Sequence, residues 1–392
     1  METWKRTVYI SLVCVFCTAF GVSQLAPILP LYFHDLGVQT PEAMSLWSGL
    51  ATGATYIIVC LAAPFWGRVA DKKGRKITLI RSSFGMALCN ALIAFQTTPE
   101  GVVLIRLIQG LVSGFYSASI TLIASETPIE RTGWALGLLA SANLAGSLIG
   151  PLLGGYIADT VGIRNDFIIV GTLMGLAGVL ATIFIHENYV PKPNPEKLSI
   201  RKLKEQIPEF NSIVALCVAS FIYAICIMSL QPVISVYIKG IVPSNTENLA
   251  FIAGAVFSAM GIAQLISSSP LGKLVDKIGP RKVLVVSLIY VGLFNIPQAY
   301  VTDVYQLALI RFLQGFGLGG MLPALNTYLS SKTPREFTGQ VFSYNQSCLF
   351  LGYFLGAVGG ASLMAWLGFT TLFWASGCLF IISALWIGLK LK

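Results

Sequence analysis

The chain has 392 residues, of which 55% are apolar and only 11% carry a charge, and its mean hydropathy is +0.76. Average globular domains carry about 25% charged residues, so this chain has too little polar surface to cover a water-soluble fold. The composition therefore excludes a soluble enzyme, a disordered chain and a disulfide-rich secreted module. It leaves a membrane protein with many spans, each of which needs roughly 20 apolar residues.

Apolar runs separated by short polar breaks predict an all-α membrane protein with twelve membrane-spanning helices. Apart from closed barrels, only helices satisfy every backbone hydrogen bond in lipid, and these runs are about twice as long as a barrel strand. The first run is too long for the core of a secretion signal and has no cleavage site, so we expect it to remain as helix 1. The predicted spans are 7–33, 46–66, 77–95, 101–123, 134–157, 165–185, 211–238, 249–270, 282–301, 304–328, 338–361 and 367–389.

The distribution of Lys and Arg predicts which side of the membrane each loop faces. With the N-terminus inside, 21 of the 26 Lys and Arg fall in inner segments, and only Arg164 and Lys239 fall in outer loops. Inner loops carry the excess of positive charge, so the split predicts an even number of spans with both termini inside. The net charge of +9 then belongs to the surface that faces anionic lipid, and we expect no nucleic acid as a partner.

The two halves of the chain repeat. Residues 27–32 match residues 232–237, and residues 106–110 match residues 311–315, both at an offset of 205. Six helices is an even number, so the repeats are predicted to be parallel, related by an axis along the membrane normal. The predicted domains are an N-terminal six-helix bundle over 1–186, a cytoplasmic linker over 187–210 and a C-terminal six-helix bundle over 211–392.

The loop between helices 2 and 3 carries the most specific motif. Gly67–Lys76 reads G-R-V-A-D-K-K-G-R-K, and its second copy reads G-K-L-V-D-K-I-G-P-R-K. Glycines allow a tight turn, and the Asp71 carboxylate can pair with Arg75 or lie at the positive N-terminal end of a neighbouring helix. The loop resembles the signature G-x-x-x-D-x-x-G-R-K of the major facilitator superfamily, which latches the inner side of the two halves when the site faces outward. The resemblance implies this role for Gly67, Asp71, Gly74, Arg75 and, in the second copy, Asp276.

Helix 5 contains the string G-S-L-I-G-P-L-L-G-G. Gly146, Gly150 and Gly154 recur every fourth residue and line one face, where small residues let two helix backbones touch. Pro151 removes a backbone donor and bends the helix. The string, which ends at Gly155, resembles the antiporter motif of the drug:proton antiporter branch and implies an exporter. The alternative is close packing that says nothing about the direction of transport.

Arg106 is predicted about six residues inside helix 4. An intramembrane Arg costs several kcal/mol and usually has a partner or lines a wet cavity. We expect amide and hydroxyl groups such as those of Gln24 and Tyr116, or water in the cavity, to hold it. Its segment R-L-I-Q-G resembles another motif of the superfamily, whose Arg takes part in proton exchange. The alternative is a side chain that reaches the outer headgroups.

No acidic residue is predicted in the middle of a span, although several drug:proton antiporters carry a titratable acid in helix 1 or helix 4. The proton-site candidates are therefore His34, Asp35 and Glu126, at the ends of spans. His titrates near neutral pH. The alternative is that these groups are ordinary solvated helix ends.

In the fold that the resemblance implies, helices 1, 4, 7 and 10 line a cavity and helices 2, 5, 8 and 11 flank it. Polar uncharged residues of these helices are the substrate-cavity candidates. Amide and aromatic groups without a buried acid suit amphipathic neutral or anionic substrates better than strongly cationic ones. The candidates are Gln24, Tyr116, Gln231, Asn345 and Gln346.

The resemblance covers the whole chain and implies a proton-coupled secondary transporter of a bacterial inner membrane that exports small amphipathic molecules by alternating access. Its partners would be a small-molecule substrate, protons and membrane lipid, and we expect a monomer. The sequence has no nucleotide-binding P-loop, and its eight Cys all fall inside apolar stretches, so we predict no cofactor, no metal and no enzymatic activity. Two alternatives stay open: a dedicated exporter of one metabolite such as a siderophore or sugar, and a non-transporting membrane sensor or scaffold.

Overall fold

The computed structural model describes residues 3–187, 200–243 and 246–390, except for the side chains at 3, 71, 200–202 and 335. Within these ranges the secondary structure is entirely helical, and eleven segments are long and apolar enough to cross a membrane. The helices are α1 Thr3–Ser23, α2 Leu25–Asp35, α3 Pro41–Lys73, α4 Arg75–Ala94, α5 Pro99–Val112, α6 Phe115–Glu126, α7 Ile129–Val161, α8 Ile163–Phe184, α9 Ile200–Gln206, α10 Phe210–Ile241, α11 Leu249–Ile278, α12 Pro280–Asn295, α13 Val304–Ser331 and α14 Thr338–Lys390, with short 3₁₀ turns at Ile296–Tyr300 and Arg335–Phe337.

Helix α14 replaces the two predicted spans 338–361 and 367–389. It runs for 53 residues, which at 1.5 Å per residue is about 80 Å, more than twice the thickness of a hydrocarbon core. The backbone leaves the helical conformation at Gly368, where φ is 81° and ψ is 172°. A single glycine therefore makes the break, two residues after the loop predicted at 362–366.

The first predicted span, 7–33, is interrupted rather than continuous. It divides at Gln24 into α1 and α2, and the Gln24 backbone amide still donates to the Phe20 carbonyl over 3.2 Å. The break places the Gln24 side chain, which is fully buried, at the junction of two helical segments.

The fourth predicted span, 101–123, also divides, into α5 and α6. Gly114 has φ +117°, a left-handed conformation that glycine adopts without steric cost, and it ends α5. The Arg81 guanidinium donates to the carbonyls of Leu111, over 3.1 Å, and Ser113, over 2.9 Å. These bonds satisfy carbonyl groups that the helix break would leave unpaired.

The chain forms two compact units. The first comprises Met1–Gln39, Ala54–Asn194 and Asn245–Ala255, and the second comprises Thr40–Gly53, Pro195–Ser244 and Val256–Lys392. The first turns of α3 thus belong to the second unit, and those of α11 belong to the first. The division into bundles 1–186 and 211–392 stays a prediction, and residues 188–199 of the predicted linker lie outside the described part of the chain.

The internal repeat is visible in the local backbone. Gly74 and Gly279, which are 205 residues apart, have φ values of 91° and 93°, and each lies directly before a helix. The hydroxyl groups of Tyr32 and Tyr237, again 205 apart, each donate over 2.8 Å to a backbone carbonyl 61 residues further on. The same devices therefore position equivalent helices in both halves of the chain.

Candidate functional site

The glycine face of α7 packs directly on α1. A Cβ atom added to Gly146 would lie 2.5 Å from the Phe16 carbonyl oxygen, and one added to Gly150 would lie 2.6 Å from the Phe20 carbonyl oxygen. One turn further, an added Cβ on Gly154 would lie 2.6 Å from the Cβ of Gln24. Real Cβ atoms do not approach other atoms so closely, so only glycine fits on these three successive turns.

A second face of α7 packs on the first turns of α11. A Cβ on Gly155 would lie 2.6 Å from the Ala250 carbonyl carbon, and one on Gly254 would lie 2.6 Å from the carbonyl carbon of Pro151. Helix α7 therefore makes backbone contacts on two sides. Both contacts belong to the first compact unit.

The Asp159 carboxylate links α7 to α11 through hydrogen bonds. Its two oxygens accept hydrogen bonds from the backbone amides of Ala250, over 3.1 Å, and Phe251, over 2.7 Å. These amides belong to the first turn of α11 and have no partner within the helix, and the positive end of the helix dipole favours a carboxylate there. Sequence analysis did not single out Asp159, because an acid at the end of a span looks like an ordinary solvated residue.

In the signature loop, a carboxylate binds the N-terminus of α4, and it comes from Glu187. Its two oxygens accept hydrogen bonds from the backbone amides of Arg75 and Lys76, both over 2.8 Å. The left-handed backbone of Gly74 brings this helix end close, since a Cβ there would lie 2.7 Å from a Glu187 oxygen. The Asp71 side chain lies outside the described part of the structure, and Gly67 is exposed within α3.

The second copy of the loop has different polar contacts. Asp276 is exposed near the end of α11, and Pro280 begins α12. The Arg281 guanidinium donates to the Gly388 carbonyl over 2.5 Å, near the C-terminal end of α14. A cation there is favoured by the negative end of the helix dipole.

Arg106 and Arg311 occupy equivalent positions and are both buried, at 6% and 3% exposure. The Arg106 guanidinium donates to the Gln109 side-chain oxygen over 2.5 Å. The expectation that Gln24 would hold Arg106 is wrong, because both polar atoms of the Gln24 amide are without a hydrogen bond in the described structure. A guanidinium enclosed by protein does not fit the alternative in which it reaches the headgroups.

The substrate-cavity candidates differ in exposure. In the first unit Gln24 is buried, while Tyr116 is exposed on α6. In the second unit Asn345 is buried, Gln231 is half-buried and Gln346 is exposed. Their roles stay predictions.

The proton-site candidates lie at helix ends, as predicted. His34 and Asp35 are at the end of α2, where the His34 Nδ1 atom lies 3.9 Å from the Asp35 Oδ1 atom. Their side chains are 38% and 57% exposed. Glu126 is half-buried at the end of α6. These positions do not distinguish a proton site from a solvated helix end.

Asp166, in the first turn of α8, is a buried acid that the sequence reading missed. Its residue exposure is 0%, although it lies at the start of a span. The residues just before it, Arg164 and Asn165, are exposed, and Asp166 lies on the inward face of α8 beside the buried Phe167. The side-chain amide of Gln24 lies close enough to interact with its carboxyl group, although no pair of their atoms meets hydrogen-bond geometry in the described structure.

Comparison with known proteins supports the resemblance seen in the motifs. The family model described as Major Facilitator Superfamily matches residues 11–241 and 216–391. The multidrug resistance protein MdtG of Dickeya zeae is 38% identical over 391 residues, covering 99% of this chain and 96% of the relative. MdtG of Enterobacter lignolyticus is 37% identical over 389 residues, with coverages of 99% and 93%.

Two solved structures share the fold at low sequence identity. The nucleoside transporter NupG superposes with a TM-score of 0.80 at 12% identity, over 100% of both chains. The human organic anion transporter MFSD10 (TETRAN) superposes with a TM-score of 0.72 at 17% identity, over 99% of this chain and 100% of that one. The matches span the whole length of a multi-pass helical chain, and this protein therefore belongs to the Major Facilitator Superfamily of membrane transporters.

Proposed function

We propose that this chain is a proton-coupled exporter of small amphipathic molecules in a bacterial inner membrane, working by alternating access. The observation that carries the proposal is α7, which contacts α1 through Gly146, Gly150 and Gly154 and α11 through Gly155. A helix that contacts its neighbours through glycine residues on two faces can shift against either neighbour while its own backbone hydrogen bonds stay intact. The full-length relatives named multidrug resistance protein support the export of drugs.

We propose twelve spans with both termini inside. Helix α14 is too long for one crossing and breaks at Gly368, so counting it as two spans raises the eleven candidate segments to twelve. The 21 Lys and Arg residues of the segments assigned to the inside support the orientation.

We assign an inner latch to the signature loops, with Gly67, Asp71, Gly74 and Arg75 in the first copy and Asp276 in the second. The contact between Glu187 and the N-terminus of α4 supports a gating role for the first copy, because it ties the loop to the chain that follows α8. An acceptor at a helix end is worth about 0.5–2 kcal/mol, a free energy small enough for the contact to open and close during transport.

The experiment that tests the proposal is transport by the purified protein in liposomes with an imposed pH gradient, acid inside. We suggest three fluorescent amphiphiles that differ in charge: neutral N-phenyl-1-naphthylamine, anionic 8-anilinonaphthalene-1-sulfonate and cationic ethidium. We expect gradient-driven accumulation of the neutral or anionic probe, abolished by an uncoupler.

The outcome also separates the alternatives. Mutual competition among chemically unrelated probes supports a multidrug exporter, whereas a single transported compound class supports a dedicated exporter. No gradient-dependent movement of any probe, by a protein shown to be folded in the liposomes, would overturn proton-coupled export of such molecules.

A further inference from the structure

Asp166 is the only Asp or Glu that is fully buried among the residues that the structure describes. We propose that its carboxyl group is the proton-carrying site of transport, binding a proton that enters from outside and releasing it inside. The inference rests on the proposed proton coupling and names the group that performs it. Three features support it: the missing hydrogen bonds of the carboxyl group, its amide neighbour and its absence from the second repeat.

The Asp166 carboxyl group does not cap its helix. Acids beside a helix start commonly accept hydrogen bonds from its free backbone amides. Asp159, from α7, and Glu187, from the segment after α8, do so at the starts of α11 and α4. Neither oxygen of Asp166 has a hydrogen-bond partner within the described structure. A buried carboxylate without hydrogen bonds is costly, whereas the neutral acid is much cheaper to bury. This packing therefore favours the protonated form of Asp166.

Gln24 can form a hydrogen bond with Asp166 in either protonation state of the carboxyl group. Its side-chain oxygen and nitrogen are both buried and both without a hydrogen bond in the described structure. An amide can accept a hydrogen bond from a protonated carboxyl group through its oxygen, and donate one to a carboxylate through its nitrogen. A small rotation of the Gln24 side chain is therefore enough to follow the proton.

Gln24 also connects the carboxyl group to the moving parts. It forms the break between α1 and α2, and its Cβ touches the backbone of Gly154 in α7. A change at Asp166 is thereby transmitted to the junction of α1 and α2 and to the glycine face of α7, whose packing we propose to change during transport.

The other charged or titratable groups at this end of the helices leave Asp166 without a fixed counter-ion. The Tyr32 hydroxyl and the Arg164 guanidinium both donate to the Gln96 carbonyl, and the Asp159 carboxylate accepts from backbone amides of α11. Further groups of this kind are Cys89 in α4, the exposed Tyr156 in α7, and His34 and Asp35 at the exposed end of α2.

The second repeat builds the same junction without an acid. The residue 206 positions after Asp166 is Leu372, which is 1% exposed, and the residue 205 positions after Gln24 is Ser229. A Cβ on Gly360 would lie 2.5 Å from the Cβ of Ser229, just as Gly154 meets Gln24. A leucine therefore packs well at this position of the second repeat. Packing alone does not explain why the first repeat has Asp166 there.

The test uses the full chain with Asp166→Asn, which keeps the shape and cannot titrate, and Asp166→Leu, which copies the second repeat. The conservative variant is Asp166→Glu. The matched control is Asp303→Asn, because Asp303 is half-buried and caps α13 and Asn is an equally good cap.

The first readout is the pH-difference infrared spectrum of each purified protein, which needs no substrate. We expect wild type, Asp166→Glu and Asp303→Asn to show a titrating carboxylic C=O band at the high frequency typical of an apolar site. We expect Asp166→Asn and Asp166→Leu to lack it. The absence of the band from wild type, or its persistence in either of these two variants, would overturn the proposal.

The second readout compares gradient-driven accumulation with gradient-free exchange of N-phenyl-1-naphthylamine, 8-anilinonaphthalene-1-sulfonate and ethidium. We expect Asp166→Asn to lose accumulation down to the uncoupler level and to keep exchange, and Asp166→Glu to accumulate. Wild-type accumulation by Asp166→Asn or Asp166→Leu would overturn the proposal. Failure of wild type to accumulate any probe would instead contradict the proposed function, and the infrared band would still decide whether Asp166 binds a proton.

Discussion

Gly74 and Gly279 hold nearly the same backbone conformation in the two repeats, yet the first is in contact with the Glu187 carboxylate and the second has open space around it. The glycine stripes also match. Gly352 and Gly356 of α14 touch the backbone of α10 as their partners in α7 touch α1. The repeats thus share the devices that set the distances between helices, and they differ in the polar groups placed on that framework.

The difference extends to the buried polar groups. In the second repeat, Asn295, Gln298 and Gln314 hydrogen-bond to one another, and Asn295 also donates to Ser376 over 3.0 Å. The first repeat instead carries Asp166, whose oxygens are unpaired in the described structure. A hydrogen-bonded amide network stiffens a core, whereas an unpaired acid is available for a change in protonation. The contrast agrees with the proposed role of the first repeat in ion coupling.

The largest effect is expected for Gly150→Leu. Its Cβ would lie 2.6 Å from the Phe20 carbonyl oxygen, and a whole leucine would push α7 away from α1. We expect gradient-driven transport to fall to background while the protein remains inserted in the membrane, measured in proteoliposomes after quantifying the folded protein.

The matched control is Gly137→Leu, in the same helix at a glycine with open space around it. It should transport nearly as well as wild type. Equal transport by both variants would show that the backbone contact between α7 and α1 is not needed. Equal loss in both would show that α7 does not tolerate leucine for another reason.

The second prediction compares the two buried arginines. Arg106 donates to the Gln109 oxygen, whereas the described hydrogen bond of Arg311 is a weak one to the Met260 sulfur over 3.5 Å. We expect Arg106→Ala to abolish gradient-driven transport and Arg311→Ala to reduce it partly. Arg106→Lys, which keeps the charge but loses the planar fork of donors, should retain part of the activity. Equal transport rates for Arg106→Ala and Arg311→Ala would show that the two arginines are equally important in the two repeats.

Sequence alone predicted the family, the helical class and most span positions, because apolar length, Lys and Arg counts and glycine spacing are local signals. It missed the division at Gln24, where the backbone keeps a helical conformation and its hydrogen bond to Phe20. It also missed the break at Gly114, because a single glycine inside an apolar run does not reveal a positive φ. It also missed Asp166 and Glu187. Whether an acid near a span end meets water, a helix end or a packed interior depends on residues that are distant in the sequence.

The third prediction concerns Gly74→Ala and Gly279→Ala. Both place an alanine at φ near +90°, a conformation that costs a side chain about 1–2 kcal/mol. At Gly74 the new Cβ would also lie 2.7 Å from a Glu187 oxygen, whereas Gly279 has open space. We therefore expect a larger loss of unfolding free energy for Gly74→Ala, measured by denaturing-detergent titration, and equal losses would show that the Glu187 contact does not matter at this position.

The smallest effect is expected for Glu187→Ala, which removes the acceptor of two backbone hydrogen bonds at the start of α4. Helix-end acceptors are worth about 0.5–2 kcal/mol, and we expect a loss in this range. Glu187→Gln should lose less, because its one remaining oxygen can still accept one of the two bonds. If Gly74→Ala acts by displacing Glu187, adding it to Glu187→Ala should cost only the strain of the positive φ, so the double variant should be more stable than the sum of the single losses predicts. If the two losses of unfolding free energy add exactly in the same titration, Gly74 and Glu187 act independently. The contact that forms the proposed latch would then have to involve Asp71 instead.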